Sequence, residues 1–161
     1  MSITFTPLLA RHQDLLWHFL HVALWDPLPA GLRPLETLQL PGVRIYAEDW
    51  GRSTDVGVIA QLAGQKDAAG ACWMRVVPDG MGLAYVDEQT PQLGIALLPA
   101  YQHQGYGRQM MLAALDAARH HGFRQVSLTV HPQNPAIRVY ESCGFVKTAI
   151  RNNYHLMLVQ L

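Results

Sequence analysis

Cysteine is scarce: Cys72 and Cys143 are the only two in 161 residues, far apart and each in an apolar setting. That excludes a disulfide-stapled scaffold, and both read as reduced core thiols. No run of eighteen apolar residues occurs, and Met1–Phe5 has no basic segment leading into an apolar one. The expectation is a soluble, cytoplasmic protein with no membrane partner. Neither sign of charge is in excess, since twelve basic residues cancel twelve acidic ones. Without a basic field, nothing points to a nucleic-acid partner. Repeats, low-complexity tracts and linkers are also missing. What the chain has is apolar residues, 50% of the total against 15% charged. That suits one globular α/β domain over residues 1–161.

The stretch that organises the chain runs from Leu93 to Arg108. Leu93, Ile95, Ala96, Leu97 and Leu98 form a buried strand that stops at Pro99. Gly105 and Gly107 make a turn, and helix-compatible sequence follows to His121. Strand, glycine turn and helix together suit a phosphate: the first helical N–H groups lack intrahelical partners and the helix dipole is positive there. A Walker loop is excluded because no Gly-Lys-Ser/Thr is present. A dinucleotide fingerprint is excluded because Met110 stands where its third glycine belongs.

In chain order, alternation predicts a strand over Ile3–Leu9, and helical spacing predicts a helix from Arg11 to about Trp25. Pro27–Pro41 reads as an irregular connection. Val43, Tyr46, Ala47 and Trp50 mark one face of a second helix closed by Gly51. Val56–Leu62 and Ala69–Val77 form a hairpin, Leu83–Val86 extends the sheet, and Leu93–Leu98 precedes the glycine turn. The helix 105–121 turns Met111, Ala114, Leu115 and Ala118 to the core. Gln125–Val130, Phe145–Ile150 and Tyr154–Leu161 are the last strands. The apolar run Leu156–Val159 would then lie on an exposed edge, which a second copy could cover as a homodimer.

After the Gln125–Val130 strand comes His131-Pro-Gln-Asn134-Pro-Ala-Ile-Arg-Val-Tyr140-Glu-Ser-Cys-Gly144-Phe145. Asn134 suits an N-cap, Pro135 the first helical position and Gly144 the residue after the end, so a short helix over Pro135–Cys143 is expected. Gln102-x-x-Gly105-x-Gly107 resembles the acyl-CoA loop of the GNAT family of N-acetyltransferases. The Asn134–Phe145 segment resembles that family's second block, Asn-x-x-Ala-x-x-x-Tyr-x-x-x-Gly-Phe, through Asn134, Ala136 or Ile137, Tyr140, Gly144 and Phe145. Their order and spacing, one helix and one strand apart, are also the family's.

The resemblance implies a single GNAT domain. Its central sheet would be mixed and mostly antiparallel, with about seven strands and about four helices. A pair of parallel strands, Leu93–Leu98 and Gln125–Val130, would splay apart to hold acetyl-CoA, with a β-bulge near Ile95. Ile95, Ala96 and Leu97 inherit main-chain contacts to pantetheine and the thioester. Gln102, His103, Gln104, Gly105, Tyr106, Gly107 and Arg108 inherit the pyrophosphate loop, and Asn134 a contact to the pantetheine arm. Tyr140 inherits the proton donation to the departing thiolate. The implied reaction is acetyl transfer to a primary amine, of a small molecule or a peptide, by direct attack in a ternary complex.

The family's usual bases are missing. Thr129 and Gln92 stand where relatives often carry Glu, and Glu88, Asp87 and His131 are nearby without a decisive claim. That departure keeps alive a non-catalytic acyl-CoA-binding or sensor module. Trp25, Trp50 and Trp73 suggest an aromatic acceptor pocket suited to an apolar or cationic amine, with Glu88 as a further acceptor contact. His18, His21, His120 and His121 lack the ligand geometry for a metal, so none is expected.

Overall fold

A computed structural model describes residues 2–78 and 80–161. Seven strands form one sheet: β1 (Ile3–Pro7), β2 (Val56–Leu62), β3 (Gly70–Arg75), β4 (Gln92–Leu97), β5 (Gln125–Val130), β6 (Val146–Arg151) and β7 (Tyr154–Gln160). Their order is β1-β2-β3-β4-β5-β7-β6, antiparallel throughout except for the parallel neighbours β4 and β5. Helices α1 (Gln13–Ala23), α2 (Pro41–Arg44), α3 (Tyr106–His121) and α4 (Ile137–Ser142) complete the domain, as the sequence predicts in class and approximate number.

The two faces of the sheet carry separate cores. β3 is buried along its whole length because both its faces are covered. Cys72 and Met74 pack with Met110, Met111, Ala114, Leu115 and Ala118 of α3, while Ala71 and Trp73 pack with Leu16, Phe19 and Leu20 of α1. This is the period-two alternation of a strand meeting the 3.6-residue period of two helices. α3 opens at Gly105 with φ 85° and closes at Gly122 with φ 104°, both left-handed positions that glycine adopts without steric cost.

Three expectations about the fold need correction. The second helix is only Pro41–Arg44, followed by turns to Asp49. The carbonyls of Ile45 and Glu48 are taken by the buried Arg75 guanidinium at 2.9 and 2.6 Å, so that chain does not continue a helical ladder. Leu83–Val86 is not a strand. Tyr85 N–H donates to Gly82 O in a turn, and the carbonyls of Leu83, Ala84 and Tyr85 accept from Arg151 and Ser127 side chains. Finally, β7 lies inside the sheet between β5 and β6, so Leu156–Val159 forms no exposed edge. The edge on that side of the sheet is β6, largely exposed along its length.

Candidate functional site

β4 and β5 touch only at one end. Their ladder consists of the pair Gln92↔Ser127, beside which Ser127 N–H donates to Pro91 O at 3.1 Å. β4 pairs with β3 residue for residue from Gly70↔Leu97 to Arg75↔Gln92, so the gap opens by divergence without the predicted bulge. Leu98 N–H donates to Ala69 O, which fixes the alternation: Ala96 and Gly94 bond towards β3, while Ile95 and Leu97 point their main-chain groups into the gap. Of the three predicted main-chain positions, Ile95 and Leu97 therefore face the gap, and Ala96 does not.

Beyond β4 the chain turns through Pro99–Tyr101 and the glycine loop into α3. Gln102 closes this turn by donating from Nε2 to Leu97 O at 2.8 Å, and Gln104 does the same to Ala100 O at 3.1 Å. Among the described residues, no main-chain N–H from His103 to Arg108 donates to a protein acceptor. Six donors thus gather at the positive end of a sixteen-residue helix. A Cβ on Gly105 or Gly107 would meet nothing within 4 Å, so the loop's outer surface is open. Arg108 is exposed beside it and Tyr106 is buried beneath it.

A cleft of about 280 Å³ continues from the gap across the sheet. Tyr140, carried by α4, lines it, as do Ile95, Thr129 and Asn134. Burial pushes the Tyr140 phenol up from its ordinary value of 10.0, with Cys72 adding to the shift, so it stays protonated at neutral pH. Asn134 Oδ1 accepts the Ala136 N–H at 2.9 Å, capping the turn before α4 and leaving its Nδ2 hydrogens available. The helix itself begins later than predicted, at Ile137.

The far end of the cleft joins two residues named from the sequence, Trp25 and His131, to two that were not, Arg33 and Tyr154. The Arg33 fork grips Asp26, Nε to Oδ2 at 2.8 Å and Nη2 to Oδ1 at 3.0 Å, and holds the Asp26 carboxyl below its ordinary range. Nη2 also reaches Tyr154 Oη at 3.3 Å, and His21 Nε2 meets Arg33 O at 2.6 Å. His131 sits between the Trp25 and Tyr154 rings, at centroid separations of 5.5 and 5.7 Å.

The tryptophans separate. Trp25 and Trp73 line the cleft, but Trp50 is 4% exposed in the α1-side core, donating from Nε1 to Leu8 O. Glu88 also lies elsewhere, on a second cavity with Asp87, Thr90 and Gln125. Asp87 is committed to its own loop, accepting from Gln89 N–H and Thr90 Oγ1 at 2.8 Å each. Gln92 is buried under the cleft, accepting from Tyr46 Oη at 2.7 Å and donating to Met81 O at 2.9 Å. No Asp or Glu is among the described residues that line the cleft. The carboxylate needed to favour a cationic amine is absent there.

Residues 17–145 match the acetyltransferase (GNAT) family model. The chain belongs to the GNAT family. The chain is 39% identical over 71 residues to the [ribosomal protein bS18]-alanine N-acetyltransferase of Escherichia coli, covering 44% of this chain and 47% of that one. It is 37% identical over 79 residues to the mycothiol acetyltransferase of Thermomonospora curvata, covering 48% of this chain and 24% of the relative. The chain thus spans less than half the length of either relative. In fold it is similar to the PaiA N-acetyltransferase of Thermoplasma acidophilum in complex with coenzyme A, with a TM-score of 0.68 and 16% identity over 100% of both chains. Among the described residues, no group of three or more His, Cys, Asp or Glu could hold a metal, and no helix is long and apolar enough to cross a membrane.

Proposed function

We propose that this GNAT protein is an N-acetyltransferase that moves an acetyl group from acetyl-CoA to a primary amine bound in the same complex. The observation that carries this reading is the row of unpartnered N–H groups from His103 to Arg108 at the mouth of a strand gap that leads to Tyr140. The N–H row suits a pyrophosphate, and Arg108 adds a charge-assisted contact. Ile95 presents its N–H and carbonyl, and Leu97 its N–H (its carbonyl being taken by Gln102), to pantetheine amides, and Asn134 Nδ2 is a donor to the same arm. Gln102 holds the loop to β4 rather than touching the cofactor.

The amine nitrogen attacks the thioester carbonyl carbon, the new C–N bond forms, and the C–S bond breaks with its electron pair on sulfur. One proton leaves nitrogen to solvent and one reaches sulfur. Tyr140, kept protonated by burial, donates to the thiolate and regains its proton from solvent. Trp25 and Trp73 wall the acceptor side.

Calorimetric titration with acetyl-CoA tests the cofactor assignment. Gly107→Glu is the cleaner loop variant, because Gly107 has space for a side chain and no left-handed backbone to strain. Gly105→Glu carries the same charge at a φ of 85°. Wild-type binding that Gly107→Glu loses, with the helical signal of the fold unchanged, is the expected result. No wild-type binding would sink the reading.

A further inference from the structure

Hydrogen-bond direction, followed atom by atom, gives the acceptor end of the cleft a definite character. Arg33 spends Nε and Nη2 on Asp26, which leaves Nη1 with no protein partner among the described residues. Tyr154 Oη accepts from Arg33 Nη2, so its own hydrogen is free to be donated. His131 Nδ1 accepts the Gln133 N–H at 3.0 Å, which puts the proton of the neutral ring on Nε2. All three residues line the cleft. Each is a donor there, and none of the described lining residues is a carboxylate that could receive them.

Resting on the acetyl-transfer reading, we propose that the acceptor is a small amino acid: a primary amine whose carboxylate is bound by Arg33 Nη1, the Tyr154 hydroxyl and His131 Nε2–H. A carboxylate presents acceptors only and can take two to three such donors, one of them charged. Asp26 and His21 then act as positioning residues. Asp26 occupies one edge of the guanidinium and leaves Nη1 free, and His21 fixes the Arg33 main chain. The cleft of about 280 Å³ also has to hold the acetyl end of the cofactor beside Ile95 and Tyr140, so the acceptor it leaves room for is a small one.

The same arrangement bears on the missing base. A bound amino acid whose carboxylate is paired with Arg33 keeps no strong counter-charge beside its ammonium group. Loss of a nearby opposite charge lowers an ammonium pKa, and so does desolvation. The cleft therefore favours the neutral amine that attack requires, and the proton leaves to water without a glutamate.

The test measures kcat/KM for the standard L-α-amino acids, their primary amides and their decarboxylated amines, alongside spermidine and short peptides. Acetyl-CoA binding by calorimetry is measured in parallel. The expected result is at least one amino acid turned over about tenfold or more faster, by kcat/KM, than its amide and its decarboxylated amine. Tyr154→Phe and Arg33→Gln should each narrow that gap, mainly through KM, with acetyl-CoA affinity retained as evidence of a folded site. Preference for spermidine, amides or peptides over every free amino acid overturns the proposal while leaving acetyl transfer intact. Acetyl-CoA binding with no amino acid turned over overturns it equally. Failure to bind acetyl-CoA overturns the acetyl-transfer reading, and the proposal with it.

Discussion

Arg75 and Asp55 face each other as a two-pronged ion pair, Nε to Oδ1 at 3.0 Å and Nη2 to Oδ2 at 2.7 Å, with both side chains 1% exposed. Arg75 also holds the carbonyls of Ile45 and Glu48, and Asp55 accepts the N–H groups of Gly51 and Arg52. The pair therefore pins the whole connection after α2, from which Tyr46 enters the cleft. Removing one partner strands a buried charge, so Arg75→Met should cost about 3–5 kcal/mol in urea unfolding. The double variant Arg75→Met/Asp55→Leu should recover part of that loss. A single-variant loss below about 1 kcal/mol would show that the pair is not the anchor.

Gly94 is fixed by its neighbour on β3. A Cβ there would stand 2.6 Å from Cζ2 of the Trp73 indole, whose Nε1 donates to Tyr46 O at 3.0 Å. Gly94→Ala must displace the ring, at a cost of about 1–3 kcal/mol. Tryptophan fluorescence of the native state should shift in the same variant, because Trp73 lines the cleft. An unchanged spectrum with unchanged stability would count against this packing.

Tyr140→Phe separates chemistry from binding. No buried side-chain polar atom among the described residues lacks a partner, so the phenol oxygen, which makes no side-chain hydrogen bond there, opens on the cleft, and its ring packs edge-on to Phe145 at 6.2 Å. Stability and acetyl-CoA affinity should stay close to wild type, while kcat falls about 100-fold. Equal activity in the two proteins would remove Tyr140 from the reaction.

Tyr46 predicts a pH effect. Burial pushes its phenol from 10.0 up to about 12, so the unfolded chain ionises first. The contribution is fully present below pH 10 and is lost as pH rises from 10 towards 12, by up to about 3 kcal/mol. Denaturant titrations at pH 9 and pH 11 should therefore differ more in wild type than in Tyr46→Phe. Parallel losses in the two proteins would place the alkaline sensitivity elsewhere.

The parts of this molecule that can be read from sequence are those with local signatures. β2 and β5 fall on the residues that alternation and β-branching predict, and α3 begins and ends at the two glycines. The glycine loop and the Asn134–Phe145 segment are legible because turn and cap chemistry is local. At the far end of the cleft Trp25 and His131 are legible, but the Arg33–Tyr154 contact is not, because the two residues are 121 positions apart. Arg33 also lies in a proline-rich connection with no periodicity to mark it. The burial of Arg75 and Gln92 is hidden for a related reason. A polar residue inside a strand pattern looks solvent-facing until the segments that bury it are known, and both are 1% exposed. The misplaced edge followed from chain order, since nothing local says that β7 inserts between β5 and β6.

The sheet is in effect two leaves, β1–β4 and β5–β7–β6, clasped at Gln92 and Ser127 and sprung open above. An occupant that laddered onto Ile95 and Leu97 would act as a missing rung and brace the leaves against shear. With such an occupant in place, part of the sheet's rigidity would come from the ligand. The protein's melting temperature then becomes a gauge of occupancy, climbing with the logarithm of ligand concentration once the site is nearly full.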